Sequence, residues 1–251
     1  MRTRLPYVFG MGLALVSFGT SPTFAKGGPI LVELFTSQGC SSCPPAEDWL
    51  NGTGMKLFQE GKVIPLAFHV DYWDYLGWKD TFSSSGNTHR QRRYAAFWQS
   101  RSIYTPQMVV QGRAGFVGSD GDQAQKEIAK AGKKTGEFPF TWKVQGVPGG
   151  LQLDLHGTPP EGVEAVAALF QNGCVTKVGR GENAGRTLIE NFVVRQWGPV
   201  PRDHEGKYQA RFQVPEGADL KDLGLAVFLQ DPMDLGVSSA HCLFPLSIKR
   251  S

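Results

Sequence analysis

The chain is poor in cysteine, in net charge and in long apolar runs. Its 251 residues include 4 cysteines and carry a formal net charge of +3. A nucleic-acid surface needs a clustered basic field, which so slight an excess does not supply. Of the cysteines only Cys40 and Cys43 form a C-x-x-C pair; Cys174 and Cys242 stand alone. A zinc knuckle built from two such pairs is therefore excluded. Charged residues make up 20% and apolar residues 41%, which rules out wholesale disorder and a coiled coil. No internal repeat or low-complexity linker interrupts the chain. Gly181-Glu-Asn-Ala-Gly185-Arg186-Thr187 lacks the Gly-Lys that a phosphate loop requires. It reads instead as a structural turn, with Glu182 or Arg186 bridging two parts of the chain. The basic run Arg90-Gln-Arg92-Arg93 reads as a solvated helix face.

What is present begins with a leader. Arg2 and Arg4 precede an uncharged apolar core from Tyr7 to Phe18, and Thr23-Phe24-Ala25 offers small residues for cleavage. The core is short for a membrane span. No cysteine near the cleavage site could carry a lipid, and the arginines are not adjacent, as a twin-arginine signal needs. Residues 1–25 are thus expected to be a signal peptide. Its removal takes away two arginines and leaves basic and acidic residues almost balanced. The rest of the sequence has no second apolar run of spanning length. The mature chain is expected to be periplasmic or secreted, with no stable membrane insertion after cleavage. Its compartment is oxidising, where cysteines can pair.

Two rhythms follow. Over residues 26–137 strand and helix patterns alternate: Ile30–Thr36 and Val63–His69 read as buried strands, and Pro44–Gln59, Thr88–Gln99 and Asp122–Lys133 as helices. Gln107–Gln111 and Gly115–Gly118 suggest a hairpin. From residue 138 to 251 the period falls to two, as in Phe138, Phe140, Trp142 and Val144, in Leu151, Leu153 and Leu155, and in Tyr208, Ala210, Phe212 and Val214. The expected fold class is α/β for the first part, followed by an all-β antiparallel sandwich-like domain.

The chemistry is concentrated in Phe35-Thr-Ser-Gln-Gly-Cys40-Ser-Ser-Cys43-Pro-Pro45, between a strand and a helix start. Backbone N–H groups at a helix start stabilise a thiolate, which favours Cys40 as nucleophile and Cys43 as the resolving thiol. An inert disulfide stapling the helix is the competing reading. Thr105-Pro106 precedes a strand and is expected to be a cis bond beside the cysteines. Glu33, on the first strand, is the candidate acid for Cys43's proton, or else a strand residue paired with a base. His69, Tyr72 and Trp73 follow the second strand's end, as proton shuttle or hydrogen-bonded structural histidine, and as an aromatic loop covering the cysteines or packing on the second part. Cys174 and Cys242 are expected to form a structural disulfide worth about 4 kcal/mol by the loop-entropy estimate; two free buried thiols are the alternative.

Phe35-Thr-x-x-Gly-Cys-x-x-Cys and Thr105-Pro106-Gln107 resemble glutaredoxin motifs. More specifically, Glu33-Leu-Phe-Thr-Ser-Gln-Gly-Cys-Ser-Ser-Cys-Pro-Pro, Phe68-His-Val-Asp-Tyr-Trp-Asp-Tyr-Leu-Gly-Trp-Lys-Asp80, Tyr104-Thr-Pro-Gln-Met108 and Gly181-Glu-Asn-Ala-Gly-Arg-Thr-Leu188 resemble a secreted thioredoxin-like family, domain of unknown function 1223. The resemblance spans nearly the whole mature chain and implies a thioredoxin-like domain. It implies no substrate. The expected activity is thiol–disulfide exchange with exported protein thiols and disulfides and with a redox partner protein. The Cys40–Cys43 disulfide would be the redox group, with no metal and no other cofactor. A second reading has the same thiols, with His69 and Asp71, binding a metal such as copper. A third makes the chain a non-catalytic interaction module. An exposed Cys40 suits the first, ligand atoms near both sulfurs the second, and covered cysteines the third.

Overall fold

The computed structural model describes residues 28–246. The expected signal peptide at 1–25 lies outside the described residues. Strand β1 (Ile30–Thr36) is buried along its whole length. It pairs in parallel with β2 (Val63–His69), also buried throughout, with Thr36 opposite His69. The connection between them is helical: α1 (Pro44–Trp49), a π-helical turn (Leu50–Gly54) and α2 (Met55–Gln59) run on without a break. Prolines at the start of α1 cost nothing, since the first turn's N–H groups lack intrahelical partners.

Alternation along the strands assigns the two faces. Val32 and Leu34 point to the side where Ala46, Leu50 and Ala124 pack. Leu31 and Phe35 point to the other side, where Tyr94 of α3 (Ser85–Phe97) meets Phe68 and Phe228. β3 (Gln107–Val110) and β4 (Ala114–Val117) form the expected hairpin on β1's free edge, and α4 (Gly121–Ala131) follows. Gln111 and Gly112 both take positive φ in the hairpin turn.

The expected fold class is corrected at this point. Residues after 138 do not form a separate antiparallel sandwich, and the first part is not a closed thioredoxin-like α/β unit. β7 (Glu164–Gln171), β10 (Val193–Pro199), β12 (Leu223–Gln230) and β13 (Val237–Leu243) join the same sheet as β1 to β4. The result is one mixed eight-stranded sheet, in the order β13-β12-β7-β10-β2-β1-β3-β4. The seam is β10, parallel to β2 through Val193 opposite Ala67, with the Ala67 N–H donating to the Phe192 carbonyl. The molecule is mostly β.

The physical reason is that β12 is buried at every position. Ala226 and Phe228 face the cluster with Phe35 and Tyr94. Leu225, Val227 and Leu229 face a second cluster with Leu153 and Phe212. That second cluster is closed by a three-stranded sheet of β11 (Tyr208–Gln213), β6 (Gly150–Gly157) and β5 (Phe140–Val147). A strand with two dry faces sits inside a sheet covered on both sides, not in a one-sided sandwich. A small ribbon, β8 (Cys174–Lys177) with β9 (Thr187–Glu190), lies against the π-helical turn, where Asn51 Nδ2 donates to the Ile189 carbonyl.

Candidate functional site

β1 ends at Thr36, and the chain turns through Ser37-Gln38-Gly39 into Cys40. Cys40 and Cys43 are bonded as a disulfide, with Cα atoms 5.5 Å apart. The turn is tight: the Cys40 N–H donates to the Ser37 carbonyl (3.1 Å), and the Cys43 N–H to the Cys40 carbonyl (3.2 Å). Cys43 is the N-cap of α1, its carbonyl accepting from the N–H groups of Ala46 and Glu47.

Both cysteines have no exposed surface, while Ser41 and Ser42 between them are exposed. An openly exposed Cys40 is therefore not found. The roof is held from the Gly181–Arg186 turn. The Glu182 carboxylate accepts from the Ser41 N–H (2.9 Å) and hydroxyl (2.7 Å). Asn183 Nδ2 donates to the carbonyls of Gln38 (3.0 Å) and Cys40 (2.9 Å). The bridging role read for Glu182 is what the turn performs, and Arg186 supports it by donating to Asn183. Trp73 closes another side, its Nε1 donating to the Thr105 hydroxyl at 2.7 Å. A Cβ on Gly39 would lie 3.3 Å from the Trp73 Cβ. Tyr72 turns away to Gln91. The Thr105–Pro106 bond is cis. Ser42 Oγ spans the gap, 3.3 Å from Cys40 Sγ and donating to the Thr105 carbonyl at 3.4 Å.

Four sequence expectations are corrected by the fold. Glu33 is on the α3 face of β1, across the sheet from α1. It makes a bidentate pair with Arg90 at 2.7 Å and accepts from the Tyr94 hydroxyl at 2.8 Å. It does not lie beneath the disulfide. Arg90, read as part of a solvated face, is fully buried in this network and also donates to Gln230. Asp71 accepts from Thr88 and takes no part with the thiols. The expected Cys174–Cys242 disulfide is absent: both are free buried thiols, one on the β8–β9 ribbon and one on β13 at the edge of the large sheet.

His69 lies at the centre of a group that the sequence did not reveal. On β2 it shares the α1 face with Ala67, and Glu47, one turn after Cys43, shares that side. Glu190 of β9 comes in from the ribbon. Ligand atoms of Glu47, His69 and Glu190 lie within 4.8 Å of one another, and all three residues are buried. His69 Nδ1 is 2.7 Å from Asp80 Oδ2, which also accepts from the Gln38 N–H at 2.8 Å. Gln38 Nε2 donates to Glu190 Oε2 at 2.9 Å, and Thr36 donates to Glu47 at 2.5 Å. Burial would lower the His69 pKa, but Asp80, Glu190 and Glu47 outweigh it and push it up to about 9. Burial pushes Glu47 up to about 7, against the pull of His69, and it also raises Glu190. Among the described residues, no group of three or more possible ligands includes a cysteine. The copper reading, which needs a histidine or carboxylate oxygen within ligand distance of both sulfurs, finds no support in this arrangement. In the sequence, Glu47 looked only like an acidic residue suited to a helix start. Asp80 and Glu190 carried no signal, because β9 and β2 meet only through the tertiary fold.

The family described as protein of unknown function (DUF1223) matches residues 31–230, and the chain belongs to it. A crystal structure of protein AGR_C_4864 from Agrobacterium tumefaciens is similar at a TM-score of 0.65 and 28% identity, over 88% of this chain and 96% of that one. HBP35 of Porphyromonas gingivalis shares the fold at a TM-score of 0.57 and 14% identity, over 91% of this chain and 80% of that one. A search of curated proteins found no match. Among the described residues no helix is long and apolar enough to cross a membrane.

Proposed function

We propose that this chain is an exported thiol–disulfide exchange protein whose redox group, Cys40–Cys43, is reached by lifting a small roof. Export rests on the leader with Arg2, Arg4 and the apolar Tyr7–Phe18 core. The observation that carries the reading is a closed C-x-x-C disulfide whose two intervening serines are exposed and whose outer anchor is one exposed carboxylate, Glu182. Exposed hydrogen bonds of this kind exchange readily with water, so the roof can open without unfolding the core.

The exchange balances as follows. A thiolate of a partner protein attacks Cys40 Sγ. A new S–S bond forms, the Cys40–Cys43 bond breaks, and its electron pair leaves on Cys43. A second partner thiolate then attacks the partner's own sulfur in the mixed disulfide and releases Cys40 as a thiolate. Two electrons pass to the pair, and the partner gains a disulfide. In reverse, Cys40 attacks a partner disulfide and Cys43 resolves it. The Ser42 hydroxyl is placed to donate to a Cys40 thiolate.

A second reading, a purely structural staple in an interaction module, is favoured by the complete burial of both sulfurs. Trapping separates the two. In the exchange reading, Cys43→Ser accumulates covalent adducts with exported proteins that reductant releases, and Cys40→Ser accumulates far fewer. No adducts from Cys43→Ser, with a disulfide that resists reduction until the fold melts, would establish the staple.

A further inference from the structure

The group around His69 has two features that the exchange chemistry leaves unexplained. His69 Nε2 and Glu190 Oε1 are both buried and have no hydrogen-bond partner. They face each other at 3.8 Å, too far for a hydrogen bond. The space between them belongs to a narrow cleft lined by Glu47, Leu50, Asn51, Ala67, His69, Glu190 and Asn191, which has no room for a water-sized sphere. Buried polar atoms left without protein or water partners are rare and costly. Three carboxylates, Glu47, Asp80 and Glu190, surround a single imidazole. Among the described residues no lysine or arginine pairs with any of the three. The centre holds more acid than base in a dry place.

We infer that Glu47, His69 and Glu190 form a buried zinc site, with Asp80 orienting the imidazole. The Asp80 carboxylate holds His69 Nδ1 as the N–H and aims Nε2 into the cleft, so an ion that displaces the Nε2 proton meets the nitrogen lone pair; this is the usual support of a metal-bound histidine. Glu190 Oε2 is fixed by Gln38 and Thr176, which leaves Oε1 as the ligand atom. Glu47 is held by Thr36. A bare cation is smaller than a water molecule, so it fits where water does not. Bonds of about 2.0–2.2 Å to nitrogen and oxygen need only a small inward shift of ligand atoms already within 4.8 Å of one another. Calcium and magnesium require six or more oxygens, which the cavity cannot supply. One imidazole with two carboxylates and no thiolate supplies three of the four ligands that zinc takes, the second oxygen of a carboxylate or a water from the groove beside Glu47 being the fourth. A surface groove lined by Pro44, Asp48 and Arg186 shares Glu47, Asn51 and Asn191 with the cavity and gives the ion a way in. The Asn51–Asn191 hydrogen bond (2.9 Å) stands across it.

This site is independent of the exchange reading, and so is its test. The mature chain is stripped with a chelator, loaded with Zn²⁺, freed of excess ion and analysed for metal. Wild type is expected to keep one zinc per chain. Glu190→Gln and Glu47→Gln, checked for unchanged circular dichroism without metal, should bind at least tenfold more weakly, while the double variant Cys40→Ser/Cys43→Ser should keep its zinc. X-ray absorption of the loaded wild type should show only nitrogen and oxygen neighbours near 2.0 Å, with imidazole scattering. No zinc retained by wild type would overturn the inference and leave a proton-sharing cluster. Sulfur neighbours near 2.3 Å, or zinc lost with the cysteines, would overturn it by placing the metal on the thiols.

Discussion

At the residue scale, burial separates the cysteines into two classes. Cys40 and Cys43 lie just under two exposed serines, whereas Cys174 and Cys242 are free thiols inside the protein. Burial pushes the Cys174 thiol up to about 11, with Arg195 only partly opposing it, and drives Cys242 up further. Neither forms the thiolate that alkylation requires. Folded protein at pH 8 should therefore leave both unlabelled, and denaturation without reductant should release two reactive thiols. A count of zero would mean that they are bonded to each other. Arg90 is the residue with most at stake. Its removal strands the Glu33 carboxylate in the core, so Arg90→Ala should cost about 3–5 kcal/mol in urea melts. Since Glu33 lies across the sheet from α1, Glu33→Gln should leave the reduction kinetics of the Cys40–Cys43 disulfide unchanged. A marked slowing would restore Glu33 to the site.

At the scale of elements, two connections hold the site in place. The Gly181–Arg186 turn reaches over from the second half of the chain and clamps the Cys40 loop through Glu182 and Asn183. Replacing Glu182 by alanine removes both hydrogen bonds to Ser41 while leaving Asn183 in place. Reduction of the disulfide by a small thiol should then speed up several-fold, with little change in melting temperature. An unchanged rate would mean that the roof does not gate access. The other connection is the β3–β4 hairpin. Gly112 sits there at φ +66, and a Cβ would come within 1.9 Å of the Leu235 carbonyl oxygen in the β12–β13 loop. The Gln111 carbonyl accepts from the Val237 N–H across the same contact. Gly112→Ala must strain the turn and push the two hairpins apart, so its cost should be at least about 2 kcal/mol by chemical denaturation.

At the scale of the whole molecule, the sheet is continuous through β10, which lies between β2 and β7. A fragment ending at residue 137 would expose the full edge of β2 and the apolar side chains of Phe35 and Phe68. It should aggregate or stay unfolded, and the intact chain should melt in one transition with Trp197 fluorescence and backbone dichroism coinciding. A fragment giving a dispersed amide spectrum would mean that the first half carries its own fold.

Much of this was written locally. Ile30–Thr36 and Val63–His69 are apolar throughout, the form of strands buried on both faces. Pro44-Pro45 with nearby acids marks a helix start, and the Cys40–Cys43 spacing permits a disulfide without help from distant residues. Thr105-Pro106 ahead of a strand, and the turn with Glu182, were legible in the same way. The rest required distant partners. The run around Leu225–Leu229 is as apolar as a core strand, but nothing in it says that its far face meets Phe35 and Tyr94. The two halves therefore looked like two domains until the β10–β2 pairing joined them. Glu33 alternates correctly whichever face it takes, and only the packing of α1 and α3 on opposite sides decides that Arg90, not Cys43, is its neighbour. Glu47, His69, Asp80 and Glu190 come from four separated segments, and only His69 stood out alone, read beside the thiols rather than beside these carboxylates. Their convergence depends on strand pairing and on the ribbon folding back, which are long-range events that no local pattern encodes.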